Sequence, residues 1–214
     1  MSIRCRPLLP GLVLALVAAA PSARADGPYF EITPFGGYRM GGGFDTVETA
    51  SKPSRSVDLE DGGSWGVDLG LYRDGYSFYE LLFSTQNSQF DSSDPALGAV
   101  DVQTEYYHIG GTLLFADEDW MVPWFSFTAG ATRFSADGGY DDETKFSISA
   151  GGGLRLPFTD NFAANLGVRG YLTFVDSDSD ILCVSGSQDA GCLVRTSGST
   201  VFQAEAMLGL TFRF

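Results

Sequence analysis

The stretch "AMLGLTFRF", residues 206–214, alternates between two faces. Read backwards in steps of two, one face is apolar throughout and consists of Phe214, Phe212, Leu210, Leu208, Ala206, Ala204 and Phe202. The other face, which runs from Arg213 to Val201, also carries Thr, Gly, Met, Glu and Gln. Because successive side chains of a strand point to opposite sides, this pattern predicts a strand with one wholly apolar face. The class of protein depends on whether that face meets a protein core or lipid.

Seven segments upstream alternate in the same way, and the sequence therefore predicts eight strands. Their residues are 29–39, 64–72, 77–90, 102–116, 122–134, 146–156, 162–174 and the terminal stretch. Long polar connections follow every odd-numbered strand, at 40–63, 91–101, 135–145 and 175–199. Short connections follow the second, fourth and sixth strands, near 73–76, 117–121 and 157–161. Tight turns at one end and long loops at the other are typical of an up-and-down outer-membrane barrel.

The first 25 residues have the features of a cleaved secretory signal peptide. Arg4 and Arg6 give a basic start, residues 8–20 are apolar, and Ala23-Arg24-Ala25 is a small-residue cleavage site. The apolar run has 13 residues, which is short for a membrane span of about 20. We therefore predict a signal peptide over 1–25 and a single barrel domain over 26–214.

The chain is strongly acidic, with 13 Lys and Arg against 27 Asp and Glu and a formal net charge of −14. This becomes −17 when the three arginines of the predicted signal peptide are removed. Such acidity argues against nucleic-acid binding, which needs basic patches. Cys183 and Cys192 are the two cysteines of the predicted mature chain. In an exported protein we expect them to form a disulfide.

An up-and-down barrel can also be a soluble, lipocalin-like carrier with an apolar lumen. The more polar faces argue against that alternative, because an eight-stranded interior has little room for large apolar side chains from every strand. They carry four acids and four arginines: Glu31, Asp68, Glu80, Glu205, Arg39, Arg155, Arg169 and Arg213. Aromatic residues cluster at both ends of the predicted strands, as in the girdles of a membrane barrel. We therefore predict an all-β fold, an eight-stranded antiparallel up-and-down transmembrane β-barrel.

The same eight charged residues predict a lumen charge network. Unpaired charges in a narrow, dry interior cost several kcal/mol each, so opposite charges are expected to pair. The sequence leaves the partners open, because the register depends on the shear of the barrel. We expect the paired charges to plug the lumen.

The predicted signal peptide, the eight amphipathic strands and the terminal "GLTFRF" of residues 209–214 resemble the small OmpA/OmpX-type outer-membrane barrels of Gram-negative bacteria. In that superfamily, the last alternating strand with a final Phe is the signal read by the barrel-assembly machinery. The resemblance implies this role for Gly209, Leu210, Phe212 and Phe214. It also implies a location in the cell outer membrane, in contact with its lipid and lipopolysaccharide.

Catalytic, cofactor and metal sites are not predicted. Lipid A-modifying enzymes share this architecture and need a His beside a Ser, but the single His, His108 in "YYHIGG", has no Ser as a sequence neighbour. The acidic run "DSDSD" at 176–180 lacks the Gly and the Glu of an EF-hand loop. We therefore expect neither enzyme activity nor a cofactor.

The leading interpretation is a monomeric structural or surface-interaction protein that displays acidic extracellular loops. A surface ligand would bind through the loops at 40–63, 91–101, 135–145 and 175–199. The alternative is a narrow, porin-like channel for small solutes. A lipid A-modifying enzyme is a distant third hypothesis.

Overall fold

The computed structural model describes most of the chain after the predicted signal peptide. The described residues are 29–42, 44–45, 56–91, 100–115, 120–136, 141–175, 180–183, 192–195 and 200–214. The predicted signal peptide, residues 1–25, lies outside them. Within these ranges, no helix is long and apolar enough to cross a membrane.

The described ranges form eight long strands and four short ones. The long strands are β1 (Phe30–Gly41), β4 (Gly62–Tyr72), β5 (Ser77–Asp91), β6 (Val100–Leu114), β7 (Val122–Ala136), β8 (Glu143–Thr159), β9 (Phe162–Phe174) and β12 (Thr200–Arg213). The short strands are β2 (Phe44–Asp45), β3 (Ser56–Leu59), β10 (Asp180–Cys183) and β11 (Cys192–Arg195). The eight predicted strands correspond to the long ones, several of which extend further than their alternation indicated.

Each long strand pairs antiparallel with the next, and β1 pairs with both β4 and β12. The first and last strands therefore close the sheet, which confirms the predicted eight-stranded antiparallel barrel. The four short strands were not predicted, because each has too few residues to show alternation. β3 pairs with the upper part of β5, while β10 and β11 form a separate hairpin. We call the end of the barrel where β1 ends and β4 begins the long-loop end. The end where β4 ends and β5 begins is the short-turn end.

The register shows how the barrel closes. A path of directly paired residues that starts at Glu31 on β1 and crosses every long strand returns to β1 at Gly41, a displacement of ten residues. The residues on the path are Gly70, Glu80, Gly110, Thr128, Ser149, Tyr171 and Gln203. This displacement is the shear of the barrel, which together with the strand number sets strand tilt and lumen width. It also decides which inward side chains meet.

Exposure alternates along the strands as predicted. On β6, Tyr107 and Ile109 are exposed, whereas Tyr106 and His108 are buried. Exposed aromatic residues border the outer wall near the long-loop end at Tyr38, Trp65, Tyr107, Phe146, Phe174 and Phe202. A second exposed set lies toward the short-turn end and includes Phe30, Tyr79, Phe115, Phe125, Phe158 and Phe214. The apolar faces thus form a continuous outer wall between two aromatic rings.

The interior holds more large apolar and aromatic side chains than the sequence analysis anticipated. One buried cluster consists of Phe35, Leu82, Tyr106, Tyr171 and Met207. The Phe35 ring has room because Gly66 stands opposite on β4: a Cβ at Gly66 would lie 2.4 Å from Phe35 Cζ. Inward glycines therefore make space for inward aromatic rings, and the lumen is filled.

Candidate functional site

The lumen contains three layers of buried charged residues, and the upper layer lies toward the long-loop end. Arg39 on β1 and Glu205 on β12 are directly opposite in register, and their fully buried side chains form an ion pair of 3.2 Å. Tyr171 donates a hydrogen bond of 2.6 Å to the second oxygen of Glu205, and Ser84 bonds both partners. The stacked rings of Tyr171 and Tyr106 lie 5.1 and 4.9 Å from the Arg39 guanidinium carbon. This arrangement combines an ion pair with cation–π contacts.

Two amide side chains border the upper layer. Gln203 accepts a hydrogen bond of 2.8 Å from Tyr106 Oη, while Gln86 donates one of 3.2 Å to the backbone oxygen of Arg39. The two amides are 3.4 Å apart, from Gln203 Nε2 to Gln86 Oε1. Because β5, β6 and β12 supply these side chains, they link strands that are not neighbours in the sheet.

The middle layer spans the barrel. Arg169 on β9 donates to Glu80 on β5 at 2.6 Å, and both side chains are buried. Thr112 donates to the other Glu80 oxygen at 2.5 Å, and Arg169 also donates to Ser149 at 3.2 Å. In the closed strand order, β5 and β9 are four strands apart in either direction. The ion pair therefore joins opposite walls.

The lower layer lies toward the short-turn end. Arg155 donates to both oxygens of Glu31, at 2.7 and 3.2 Å. Tyr72 Oη accepts hydrogen bonds from Arg155 at 2.6 Å and from Arg213 at 3.0 Å. Arg213 also approaches Glu31 at 3.9 Å, and Asn165 accepts a bond of 3.1 Å from Arg155 Nε. One carboxylate thus serves two guanidinium groups.

The structure brings seven of the eight predicted lumen charges into ion pairs, and Asp68 is the exception among the described residues. Its Oδ1 atom is buried without a hydrogen-bond partner in the described part of the chain. Asp68 borders a small cavity of about 20 Å³ together with Arg155, Arg169 and Trp124. The three paired acids therefore accept all four arginines, and Asp68 lies between the middle and lower layers.

His108 lies inside the lumen, on the same face of β6 as Tyr106. Its Nδ1 is 2.9 Å from Thr128 Oγ1, and its Nε2 is 2.8 Å from Ser147 Oγ. Sequence reasoning considered only the chain neighbours of His108 and missed Ser147. This serine lies on β8, two strands away from β6 on the inner surface of the barrel. Among the described residues, Thr128 and not a carboxylate contacts the second ring nitrogen, and Ser147 is fully buried. This differs from a Ser-His-Asp triad, in which an acid holds the imidazole and the nucleophile is accessible.

Each mouth of the lumen opens into a cavity. A cleft of about 730 Å³ at the long-loop end is bordered by polar and acidic residues of the upper strand ends. A cavity of about 420 Å³ at the short-turn end is bordered by Arg155, Arg213 and several apolar residues. The three charged layers lie between the two cavities.

The predicted assembly residues occupy the lower part of β12. Gly209 faces the lumen, whereas Leu210 is exposed on the outer wall. Phe212 is directly opposite Phe162 of β9, and their rings pack edge to face. The backbone N–H of Phe214 donates to the Phe30 carbonyl at 2.9 Å. The last residue thus completes the seam between the first and last strands.

Cys183 and Cys192 are direct backbone partners in the β10–β11 hairpin. Opposite residues of an antiparallel pair have Cα atoms about 4.5–5.5 Å apart, a separation that a disulfide can bridge. The disulfide between them stays a prediction. Of the four long loops, the structure describes only the parts within the ranges given above.

The predicted lumen network did not include the uncharged residues that complete the three layers. Tyr106, Tyr171 and Tyr72 hold the charged groups by hydrogen bonds or ring contacts. Their signal was present in the alternation, since each lies on the same face of its strand as a predicted inward residue. Tyr171, for example, is two positions from Arg169. Their large apolar rings made them less obvious lumen candidates than the charged side chains.

Comparisons with known proteins agree with this architecture. Residues 11–213 match the family described as "Outer membrane protein beta-barrel domain". The structure of Neisserial surface protein A is similar, with a TM-score of 0.53, 12% identity, and coverage of 88% of this chain and 100% of that one.

Two further solved structures are similar. The outer membrane protein OprG from Pseudomonas aeruginosa has a TM-score of 0.58 and 10% identity, and covers 88% of this chain and 96% of its own. The outer membrane protein AlkL, determined in lipid bilayers, has a TM-score of 0.50 and 13% identity over 92% of this chain and 94% of its own. At these identities the likeness concerns the fold, and no curated protein matched. The family match, which spans nearly the whole chain, shows that this protein belongs to the outer membrane protein beta-barrel domain family.

Proposed function

We propose that this protein is a non-conducting outer-membrane barrel with a structural or surface-interaction role. The observation that carries the proposal is the buried Arg169–Glu80 ion pair, which crosses the lumen between opposite walls. A solute that passed through the barrel would have to separate this pair. Removing one partner of a buried ion pair costs about 3–5 kcal/mol, so its separation without replacement contacts is a substantial barrier.

The layers above and below support the same conclusion. The upper ion pair, Arg39–Glu205, is fully buried and is covered by the stacked rings of Tyr106 and Tyr171. In the lower layer, Arg155 is held by Glu31 and by neighbouring polar groups. A solute would therefore meet three consecutive polar barriers. We propose that the network locks the barrel as a rigid support for its long loops.

The same proposal covers the location, the assembly and the oligomeric state of the barrel. A chain exported through a cleaved signal peptide of residues 1–25 would place its exposed apolar wall in outer-membrane lipid and lipopolysaccharide. The barrel-assembly machinery would read the terminal strand, including Phe212 and Phe214. All eight long strands are paired on both sides, which supports a monomer because no edge of the barrel is left to pair with a second copy. The long loops would then contact surface ligands.

We also propose that the protein is not an enzyme. The His108–Ser147 contact is the nearest approach to a catalytic pair in the site described above. Its serine is fully buried, and the second ring nitrogen contacts Thr128. A substrate would have to enter the packed lumen to reach it. Mass spectrometry of lipid A from cells with and without the protein should therefore show no difference.

Planar-bilayer recording of the purified full-length protein tests the proposal. We expect no steady conductance from the wild type. The Glu80→Ala/Arg169→Ala variant, which removes the pair across the lumen, should show openings or a leak. The matched control is Arg133→Ala, which removes an ion pair at the outer rim. Steady ohmic conductance of the wild type, unchanged in Arg155→Ala and Arg169→Ala, would favour the narrow channel.

A further inference from the structure

We propose that the cleft at the long-loop end binds a small organic polycation, such as a linear oligoamine. The cleft has a volume of about 730 Å³, within the range of small-molecule sites. It lies above the upper layer of the lumen, between the rim segment that precedes β4 and the upper ends of β5, β6, β7 and β8. Its four acids belong to the connections 40–63, 91–101 and 135–145, so this inference rests on the surface-interaction role proposed above and names a class of ligand for it.

The charge of the cleft is the first argument. Four carboxylates border it, and none of the described residues that line it is Lys, Arg or His. Asp142 is balanced by Arg133 at 2.5 Å, and this contact holds the pKa of Asp142 below its ordinary value. The other three acids, Glu60, Asp61 and Asp101, form no ion pair within the described part of the chain. A concave surface with uncompensated negative charge concentrates cations.

The acidic groups are held in place by the barrel. The Glu60 backbone N–H donates to the Gln89 carbonyl at 3.0 Å. Asp61 Oδ1 accepts a bond of 3.0 Å from the Gly41 N–H, and Asp101 Oδ1 accepts one of 2.6 Å from Gln89 Nε2. These contacts use one oxygen of each aspartate side chain, so the other remains for a ligand. A prearranged acceptor loses less entropy when it binds.

Ser88 supplies a second, independent observation. This residue borders the cleft and is only 8% exposed. Its hydroxyl has no hydrogen-bond partner among the described residues. A buried polar group without a partner is costly, and a ligand that donates or accepts a hydrogen bond there would relieve that cost. The cleft therefore combines acidic groups at its rim with an unsatisfied hydroxyl in its wall.

The arrangement of the acids favours an organic ligand over a metal ion. Within the described ranges, no three His, Cys, Asp or Glu side chains converge as metal ligands. Ca²⁺ needs six to eight oxygen ligands at about 2.3–2.6 Å, which separated carboxylates do not provide. A chain with several ammonium groups can instead reach each acid separately, since every ammonium group donates up to three hydrogen bonds. Uncharged polar residues such as Asn87 and Gln103 line the space between the acids.

Isothermal titration of the purified full-length barrel with spermine tests this site. We expect saturable binding that weakens with added salt, because about 1 M salt shortens the Debye length to ~3 Å. Glu60→Gln/Asp101→Asn should raise the Kd by about tenfold or more. The matched control, Asp74→Asn/Asp160→Asn, removes the same number of charges at the short-turn end and should leave the Kd within about twofold. Retained heat-modifiable gel mobility shows that each variant is folded.

A charge-neutral variant makes the test specific for the cleft. Ser88→Leu should weaken spermine binding by about fivefold or more, because it fills the wall of the site without changing the charge. Unchanged affinity in Ser88→Leu would place the ligand elsewhere and overturn the proposal. Equal losses in the two double variants would show diffuse charge attraction, and Mg²⁺ that displaces spermine at equimolar concentration would show a metal site. Either result, or the absence of saturable heat, would also overturn it.

Discussion

Glu80 and Arg169 form an ion pair of 2.6 Å although their strands, β5 and β9, stand on opposite sides of the barrel. Both side chains are buried, and each has a further hydroxyl partner. Arg169 is directly opposite Glu205 in the sheet register, yet it pairs with Glu80 across the lumen. Glu205 instead pairs with Arg39 on its other side. The lumen network therefore connects walls that the sheet keeps apart.

Loss of either partner of this pair should strongly destabilise the barrel. We expect Glu80→Ala or Arg169→Ala to lower the free energy of unfolding by about 3–5 kcal/mol, because each leaves a buried charge without its partner. The double variant should lose less than the sum of the two single losses. Urea unfolding in detergent or lipid measures these values. Equal losses for the single and double variants, each under about 1 kcal/mol, would contradict a buried pair.

The control for this experiment is the ion pair at the outer rim. Arg133 lies 2.5 Å from Asp142, but the Arg133 side chain is 46% exposed. Exposed pairs contribute about 0–1 kcal/mol. Arg133→Ala should therefore change the free energy of unfolding much less than Arg169→Ala does.

Strand alternation was sufficient to predict the fold, because a period of two identifies both the strands and the side chains that share a face. It placed Glu80 and Arg169 in the lumen but did not make them partners. Their pairing follows from the ten-residue shear, which is a property of the hydrogen-bond register around the whole barrel. Asp68 shows the same limit. All eight charges were expected to pair with partners left open, whereas Glu31 contacts both Arg155 and Arg213 and Asp68 forms no ion pair among the described residues.

Arginine substitutions test whether the outward faces of β9 and β12 meet lipid. Val168 and Leu208 are 64% and 61% exposed and lie on the outward faces of β9 and β12. Val168→Arg or Leu208→Arg should cost ~2–4 kcal/mol near the bilayer midplane, because lipid does not solvate the guanidinium group. Ser135→Arg at the acidic cleft is the matched substitution and should cost less than about 1 kcal/mol. Equal losses after refolding into lipid would mean that Val168 and Leu208 do not face the bilayer interior.

Removal of Phe214 should impair assembly of the barrel. The Phe214 N–H and carbonyl both bond the backbone of Phe30, so the deletion breaks the last contacts of the β1–β12 seam at the short-turn end. We expect a lower yield of protein in the outer membrane and loss of heat-modifiable gel mobility. Phe158→Ala is the control, because Phe158 is also an exposed aromatic residue at the same end. Normal yield of the truncated chain would count against a role for Phe214.

Oxidised protein should contain a bond between Cys183 and Cys192. Their positions in the β10–β11 hairpin are directly opposite, and the closed loop has ten residues when both cysteines are counted. In the chain-entropy model, a disulfide that closes a loop of this length raises the free energy of the unfolded state by about 2.5–3 kcal/mol and so stabilises the folded one. Mass spectrometry without reductant should find no alkylatable thiol in the mature protein. Two alkylated cysteines would rule out the bond.

The turn between β4 and β5 should make a pH-dependent contribution to stability through Asp74. Its carboxylate accepts hydrogen bonds of 2.9 Å from the Tyr76 N–H and from Ser77 Oγ. These bonds, with the Tyr76 N–H as the larger cause, hold the pKa of Asp74 below its ordinary value. A carboxyl group with a lowered folded pKa stabilises the protein above its unfolded pKa of about 3.9, and this contribution is lost as the pH falls through the folded pKa.

Asp74→Ala removes this titrating acceptor. Its free energy of unfolding should lie below that of the wild type near neutral pH, and the difference should shrink as the pH falls from about 4, the unfolded pKa, through the lower folded pKa of Asp74. Asp74→Asn is the control, because it keeps an acceptor oxygen and does not titrate. Unfolding by urea at a series of pH values gives both differences from the wild type. A difference between Asp74→Ala and the wild type that stays constant across the acidic range would mean that ionised Asp74 does not stabilise the turn.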